Sequence, residues 1–352
     1  WTQITSAAGR SGRYRMACVV YNNNIFVLGG YRGYYLNDVW SSSDGVSWIQ
    51  VTGGAGWSGR FGHTSVVYNN KIFVLGGYGG PYLNDVWSSS DGVSWIQVTG
   101  AAGWSGRRDH TSVVYNNKIF VLGGYSGSYY LNDVWVSSDG VSWIQVTGAA
   151  GWSGRRGHTS VVYNNKIFVL GGYGGSYYLN DVWSSSDGVS WSQVTGAAGW
   201  SDRAGHVSAV YGSTMYVLGG FGSGSGAYLN DAWSSSDGGV SWSEMVQSGS
   251  SWSARWSMSC VVHDANMYVM GGKGSGNSYL NDVWSMSVAV PTGQPTGQPT
   301  GQSTSHPTSP TGQPSGQPTS QPTCPINQPS GQSTCHPTSP TGQPSGQPTG
   351  QP

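Results

Sequence analysis

Charge is what this sequence has least of: only 9% of its 352 residues are acidic or basic, 15 of each sign, and the formal net charge is zero. A chain so balanced offers no electrostatic footprint to nucleic acid or to an anionic membrane, and nucleic acid is not expected as a partner. Glutamate occurs once, as Glu244. No apolar run approaches the roughly 18 residues needed to cross a bilayer, so membrane insertion is not expected. The sequence opens at Trp1 with neither Met nor a leader, which reads as a processed or partial chain. The four cysteines form no C-x-x-C. That argues against zinc and against a thioredoxin-like motif, leaving disulfides or free thiols and favouring an oxidising compartment. No asparagine precedes x-Ser/Thr, so N-glycans are not expected.

What the chain does have is glycine (57), tyrosine (21) and tryptophan (18), a composition that suits short twisted strands and tight turns. Gly-Gly pairs at Gly29-Gly30, Gly76-Gly77, Gly123-Gly124, Gly171-Gly172, Gly219-Gly220 and Gly271-Gly272 are spaced by 47, 47, 48, 48 and 52 residues. A period near fifty is the signature of a propeller. Within one unit, His63 to Tyr68 and Lys71 to Leu75 flank the turn pair Asn69-Asn70 and predict an inner hairpin. The run Asp85 to Ser88, the turn Ser90-Asp91-Gly92 and the run Ser94 to Thr99 predict an outer hairpin, bringing Trp87 and Trp95.

Arg-x-x-His before an apolar strand, a strand ending in Gly-Gly, then Asn-Asp-Val-Trp and a final Trp resemble the kelch repeat over residues 1 to about 289. The family's usual tyrosine early in the third strand is replaced by serine, as at Ser41 and Ser88, each preceded by Trp40 or Trp87. The resemblance implies an all-β, six-bladed β-propeller of four-stranded blades over 1–289. The sixth repeat lacks a fourth strand, and Trp1 to Thr5 matches Trp48 to Thr52. The N-terminal strand is therefore expected to complete blade six and close the ring.

Cys18 and Cys260 fall at one repeat position, where the other repeats carry Ser65, Ser112, Ser160 and Ser208. Because the first and sixth repeats are neighbours in a closed ring, a Cys18–Cys260 disulfide is expected, with free buried thiols the alternative. From residue 290 to 352 the chain is a polyproline II-like stalk of Pro-Thr/Ser-Gly-Gln units, holding 15 of the 16 prolines. Its Ser/Thr density beside proline is that of an O-glycosylated stalk. The candidate acceptors are Thr292, Thr296, Thr300, Thr308, Thr311, Ser315, Thr319, Thr338, Thr341, Ser345 and Thr349. Cys324 and Cys335 close a loop there or link to another chain.

Most ionisable residues belong to the repeat, which argues against an enzyme. Six aspartates follow asparagine and five sit in Ser-Asp-Gly turns, leaving Asp109, Asp202, Asp264 and Glu244. No carboxylate pair of the glycosidase kind is apparent. Arg13, Arg60, Arg107, Arg155, Arg203 and Arg255 recur once per blade and are expected to bond loop carbonyls. His63, His110, His158 and His206 recur too, and the first and sixth repeats are read with Arg15 and Ser257 in that place. An arginine in such a ring repels a metal ion, and no cofactor is assigned. Ser235 to Trp242 fits the Asp-box turn of sialidase-like propellers, a turn remote from chemistry. What remains is surface. Trp57, Trp104, Trp152, Trp200 and Trp252 either offer flat rings to sugar or protein or fill gaps between blades, the latter preferred. The pairs Tyr34-Tyr35, Tyr129-Tyr130 and Tyr177-Tyr178 are expected to be exposed. The reading is an extracellular structural or adhesive glycoprotein that binds other protein chains. A carbohydrate-binding propeller is the alternative, and a sialidase-like or oxidase-like enzyme comes third.

Overall fold

The computed structural model describes residues 1–223, 228–246 and 251–287. The proline-rich segment, with Cys324, Cys335 and every candidate glycosylation site, lies outside the described residues. The repeats form six antiparallel blades, each a sheet of its own. The second shows the pattern: Thr64–Tyr68, Lys71–Tyr78, Tyr82–Ser89 and Ile96–Thr99 pair in that order, from the channel outwards. The expected inner hairpin turns on Asn69 and Asn70, both left-handed at φ 45° and 53°, with Tyr68 opposite Lys71. That is the type I′ geometry whose twist suits a two-residue loop, and asparagine tolerates it. The third strand begins at Tyr82, before the Asp85 suggested by apolar patterning.

The Gly-Gly pair bends the second strand. Pairing shifts between Leu75 and Gly77, and Gly77 sits at φ +105°, the mark of a bulge. Its N–H donates to Arg107 O of the next blade at 2.8 Å, and a Cβ there would lie 2.8 Å from His63 Cβ. Neighbouring blades therefore lock where only glycine fits. Further out, Tyr68 Oη donates to Asn117 O at 2.9 Å and Ser138 O at 2.7 Å in the following blade. Between blades lies the core. In one cleft Val19, Leu28, Val39 and Trp57 pack on Ile72 and Val74 of the next sheet.

The ring closes as the repeat register requires. Thr2–Thr5 pairs antiparallel with Val283–Ser287, Gln3 opposite Trp284. Ala8 N donates to Asn281 O at 3.0 Å across the same seam. The innermost strands surround a channel of about 240 Å³.

Candidate functional site

The recurrent arginines are scaffold. Arg60 has no exposed surface, and its Nη1 and Nη2 donate to Asp85 Oδ1 and Oδ2 at 2.7 and 2.8 Å. Nη1 also donates to Gly76 O at 2.9 Å, and Trp87 Nε1 donates to Asp85 Oδ2 at 2.8 Å. The carbonyl contact matches expectation, but the principal partner is the aspartate of the Asn-Asp step. The same bidentate pair recurs at Arg13–Asp38, Arg107–Asp133, Arg155–Asp181, Arg203–Asp231 and Arg255–Asp282. Its fixed fork geometry orients strand three against the loop entering strand one. The Ser-Asp-Gly turns are equally occupied: Asp91 Oδ1 accepts from Val93 N and Ser94 N, both at 2.8 Å. Asp237 does the same for Val240 and Ser241 at 3.1 Å, so the Asp-box in blade five is the same kind of turn with one more residue.

The structure decides three sets of candidates, the tryptophans for the preferred reading and the other two against it. Trp57, Trp104, Trp152, Trp200 and Trp252 are at most 1% exposed. Each seals a cleft between blades, as Trp57 does edge-on to Trp95 at 5.9 Å with Arg60 over its ring at 5.7 Å, so they leave the list of contact residues. At the seam Arg10 takes this place, over Trp48 at 5.0 Å. The histidines do not form a ring with Arg15 and Ser257, because Met16 and Met258 occupy the histidine position. Where Gly77 packs on His63, Gly30 packs on Met16 and Gly272 on Met258. The histidines lie between blades, His110 and His206 at 3.1 and 2.9 Å from Thr64 and Thr159 of the blade before. Burial, aided by Arg60 and Arg203, pushes His63 and His206 down to about 3. Among the described residues no cluster of three metal-ligating side chains occurs. Cys18 and Cys260 flank the channel as free thiols. They turn into successive clefts, Cys18 against the seam core and Cys260 against the core between blades five and six, and beside them Ser259 Oγ donates to Met16 O at 3.0 Å across the seam.

The residues displaced from the histidine position build something the sequence did not reveal. Arg15, Gly62, Asp109, Gly157, Gly205 and Ser257 all have left-handed φ, between 50° and 63°. Each donates its N–H to the carbonyl of its counterpart in the preceding blade: Gly62 to Arg15, Asp109 to Gly62, Gly157 to Asp109, Gly205 to Gly157, Ser257 to Gly205 and Arg15 to Ser257, at 2.6–2.9 Å. The six bonds form a closed circuit around one mouth of the channel. Three of the six are glycine, the residue that adopts this conformation without penalty.

Above this circuit lies a basin of aromatic and cationic side chains. Each blade contributes a bridged pair at its mouth: Tyr14–Tyr31, Phe61–Tyr78, Arg108–Tyr125, Arg156–Tyr173, Ala204–Phe221 and Trp256–Lys273. Tyr35, Tyr82, Tyr130 and Tyr178 interleave with them, Tyr130 lying 4.9 Å from Tyr125 and 5.7 Å from Tyr173. Of the tyrosine pairs singled out in the sequence, Tyr34, Tyr35, Tyr129 and Tyr177 are exposed, whereas Tyr130 and Tyr178 turn half-buried into the basin. Arg15 stands over Trp256 at 5.0 Å and Phe61 at 5.3 Å. Arg108 stands over Phe61 at 5.4 Å, and Arg156 over Tyr125 at 5.0 Å. Asp109 lies 3.3 Å from Arg15 and 3.6 Å from Arg108, without aligned hydrogen bonds to either. Burial lowers the pKa of Arg15, and Asp109 opposes that shift. The other non-repeat carboxylates lie elsewhere: Asp202 bonds Ser223, Asp264 sits in a hairpin turn, and Glu244 is on an outer strand.

Six blades, each held by an Arg–Asp pair beside a Gly-Gly pair, define a β-propeller of kelch architecture. The family model described as the KLHDC2/KLHL20/DRC7 Kelch-repeats domain matches residues 50–195 and 145–292, and the Kelch motif matches residues 12–41. The chain belongs to the kelch-repeat family, and its propeller is a protein-interaction module. No curated protein matches the chain.

Proposed function

We propose that this propeller is the binding head of an extracellular structural or adhesive assembly, joined to the proline-rich segment as a glycosylated spacer, and that it carries no catalytic activity. The observation behind this reading is repetition without diversification on the rim. The outer strands of three successive blades present Ile49, Ile96 and Ile144 at 67–71% exposure, with Val46, Val93 and Val141 beside them at about half. Identical contacts offered several times favour avidity or a polymer over one tailored pocket. Uncovered outer strands are also templates for pairing with another chain. Self-association, or binding to a matrix protein, is the interaction this surface suits.

Sedimentation and electron microscopy of the full chain test it. The expected result is concentration-dependent assemblies that an Ile49→Lys, Ile96→Lys, Ile144→Lys variant abolishes. Monodisperse single particles at every concentration would remove the structural reading. Intact mass before and after chemical deglycosylation tests the spacer, and a mass equal to the bare sequence removes the glycoprotein claim. The carbohydrate-binding reading is favoured by one specific feature, the aromatic and cationic basin.

A further inference from the structure

We infer that the basin is a binding site for an acidic glycan, a saccharide bearing carboxylate or sulfate groups. The inference rests on the propeller being an interaction module and does not need the assembly proposed above. Charge complementarity comes first. The chain is neutral overall, yet Arg15, Arg108, Arg156 and Lys273 gather at this mouth over aromatic faces, with Asp109 as the acidic neighbour of two of them. Four cations and one carboxylate leave a local charge of +3. Among the described residues no carboxylate is within ion-pair distance of Arg156 or Lys273, in contrast to the six framework arginines.

Polar groups in the basin also lack partners. Arg108 Nε and Trp256 Nε1 are buried donors with no hydrogen-bond acceptor, and Arg15 Nε meets only the misaligned Asp109 carboxylate at 3.3 Å. Leaving such groups unmet is unfavourable, and anionic and hydroxyl oxygens of a ligand settling among them would relieve it. Aromatic rings supply the complementary surface, since their faces stack on the apolar faces of pyranose rings and tyrosine hydroxyls meet sugar hydroxyls.

The backbone excludes a peptide that would bind by strand addition. Extended peptides are commonly held by main-chain hydrogen bonds to an open strand edge. Here the floor offers none, because every N–H of the six-residue circuit is already given to the preceding blade's counterpart. A ligand in this basin is gripped by side chains, through ring faces, tyrosine hydroxyls and cations, which suits an acidic saccharide.

Titration calorimetry on the full chain tests this with four probes: oligogalacturonate for carboxylate, a carrageenan oligosaccharide for sulfate, a dextran oligosaccharide as neutral control, and polyglutamate. The expected result is binding of one or both acidic saccharides, weakening with salt, with dextran inert and polyglutamate much weaker. Arg156→Gln should weaken binding about tenfold or more, Arg156→Lys less, and Lys118→Gln on an inner hairpin turn not at all. Which saccharide binds identifies the anionic group. Failure of both, insensitivity to Arg156→Gln, or equal binding of polyglutamate would overturn the inference. A chain that binds but never assembles refutes only the structural reading, and one that assembles but does not bind refutes only this one.

Discussion

Replacing Arg10 by tryptophan should strengthen the ring at its seam. The five other clefts place a fully buried tryptophan at this point, edge-on to an outer-strand tryptophan such as Trp95, Trp143 or Trp191. Arg10 is just as buried, at 2% exposure, and its three guanidinium nitrogens have no hydrogen-bond partner. Burial, with Arg13 adding to it, lowers its pKa from 12.5 to about 10. By proton linkage this corresponds to about 3 kcal/mol against the charged form. The sign follows from a cation whose folded pKa is depressed. The penalty is complete below about pH 10 and fades only as the pH rises from there towards 12.5. Tryptophan removes it and adds apolar burial, at the loss of a cation–π contact worth about 1–2 kcal/mol. The net gain should be about 2–4 kcal/mol, within the range seen when buried charges give way to packed hydrophobes. Thermal unfolding at pH 7 should shift upward by roughly 3–7 °C for a domain of this size. The reciprocal Trp104→Arg should lower it by at least as much. An Arg10→Trp protein melting at or below the parent would refute the view that this arginine is an energetic defect.

Three further outcomes follow from the same packing. Gly77→Ala, at φ +105° with a new Cβ 2.8 Å from His63, should cost about 1–3 kcal/mol in urea unfolding, whereas Gly33→Ala meets no neighbour and should lose only the backbone part. His63 has its pKa depressed to about 3, so it favours folding above its ordinary 6.5 and penalises it progressively as the pH falls from there towards 3. His63→Met, copying Met16 and Met258, should leave the midpoint at pH 7 nearly unchanged and flatten its decline down to pH 4. Burial pushes the thiol of Cys18 up to about 11 and raises that of Cys260 as well. Both should therefore resist iodoacetamide at pH 8 in the native protein and react once it is unfolded; a Cys18–Cys260 cross-link in non-reducing peptide maps would contradict the free thiols.

Blade number and the scaffold role of the arginines were legible because each repeats a physical requirement six times, and the closing strand because one repeat lacks the outer strand that the other five have. A bulge needs Gly-Gly and a missing outer strand needs a donor, whereas the aspartate partner of each arginine was missed in favour of a loop carbonyl. The histidine position was misread in the two end repeats because Arg15 and Ser257 are polar, and polarity was matched to polarity. Spacing from Arg13 and Arg255 leads instead to Met16 and Met258, apolar residues that fill an apolar cleft. The circuit below the basin escaped notice because backbone atoms make it, and Arg15, Asp109 and Ser257 share no side-chain chemistry. The basin was hidden for the opposite reason. Its positions vary from blade to blade, Tyr14, Phe61, Arg108, Arg156, Ala204 and Trp256, so it shows only as departure from the repeat. The tyrosine pairs were read as uniformly exposed, but successive residues of a strand face opposite ways, sending Tyr129 outward and Tyr130 inward.

The closed circuit of Arg15, Gly62, Asp109, Gly157, Gly205 and Ser257 has no first member. A necklace of this kind is indifferent to where its thread was cut, but it cannot be fastened with a bead too few, since a missing blade would strand one donor and one acceptor together. Permuted versions of this chain, opened before any other outer strand, should fold to the same ring, whereas a five-repeat deletion should not simply shrink to a smaller one.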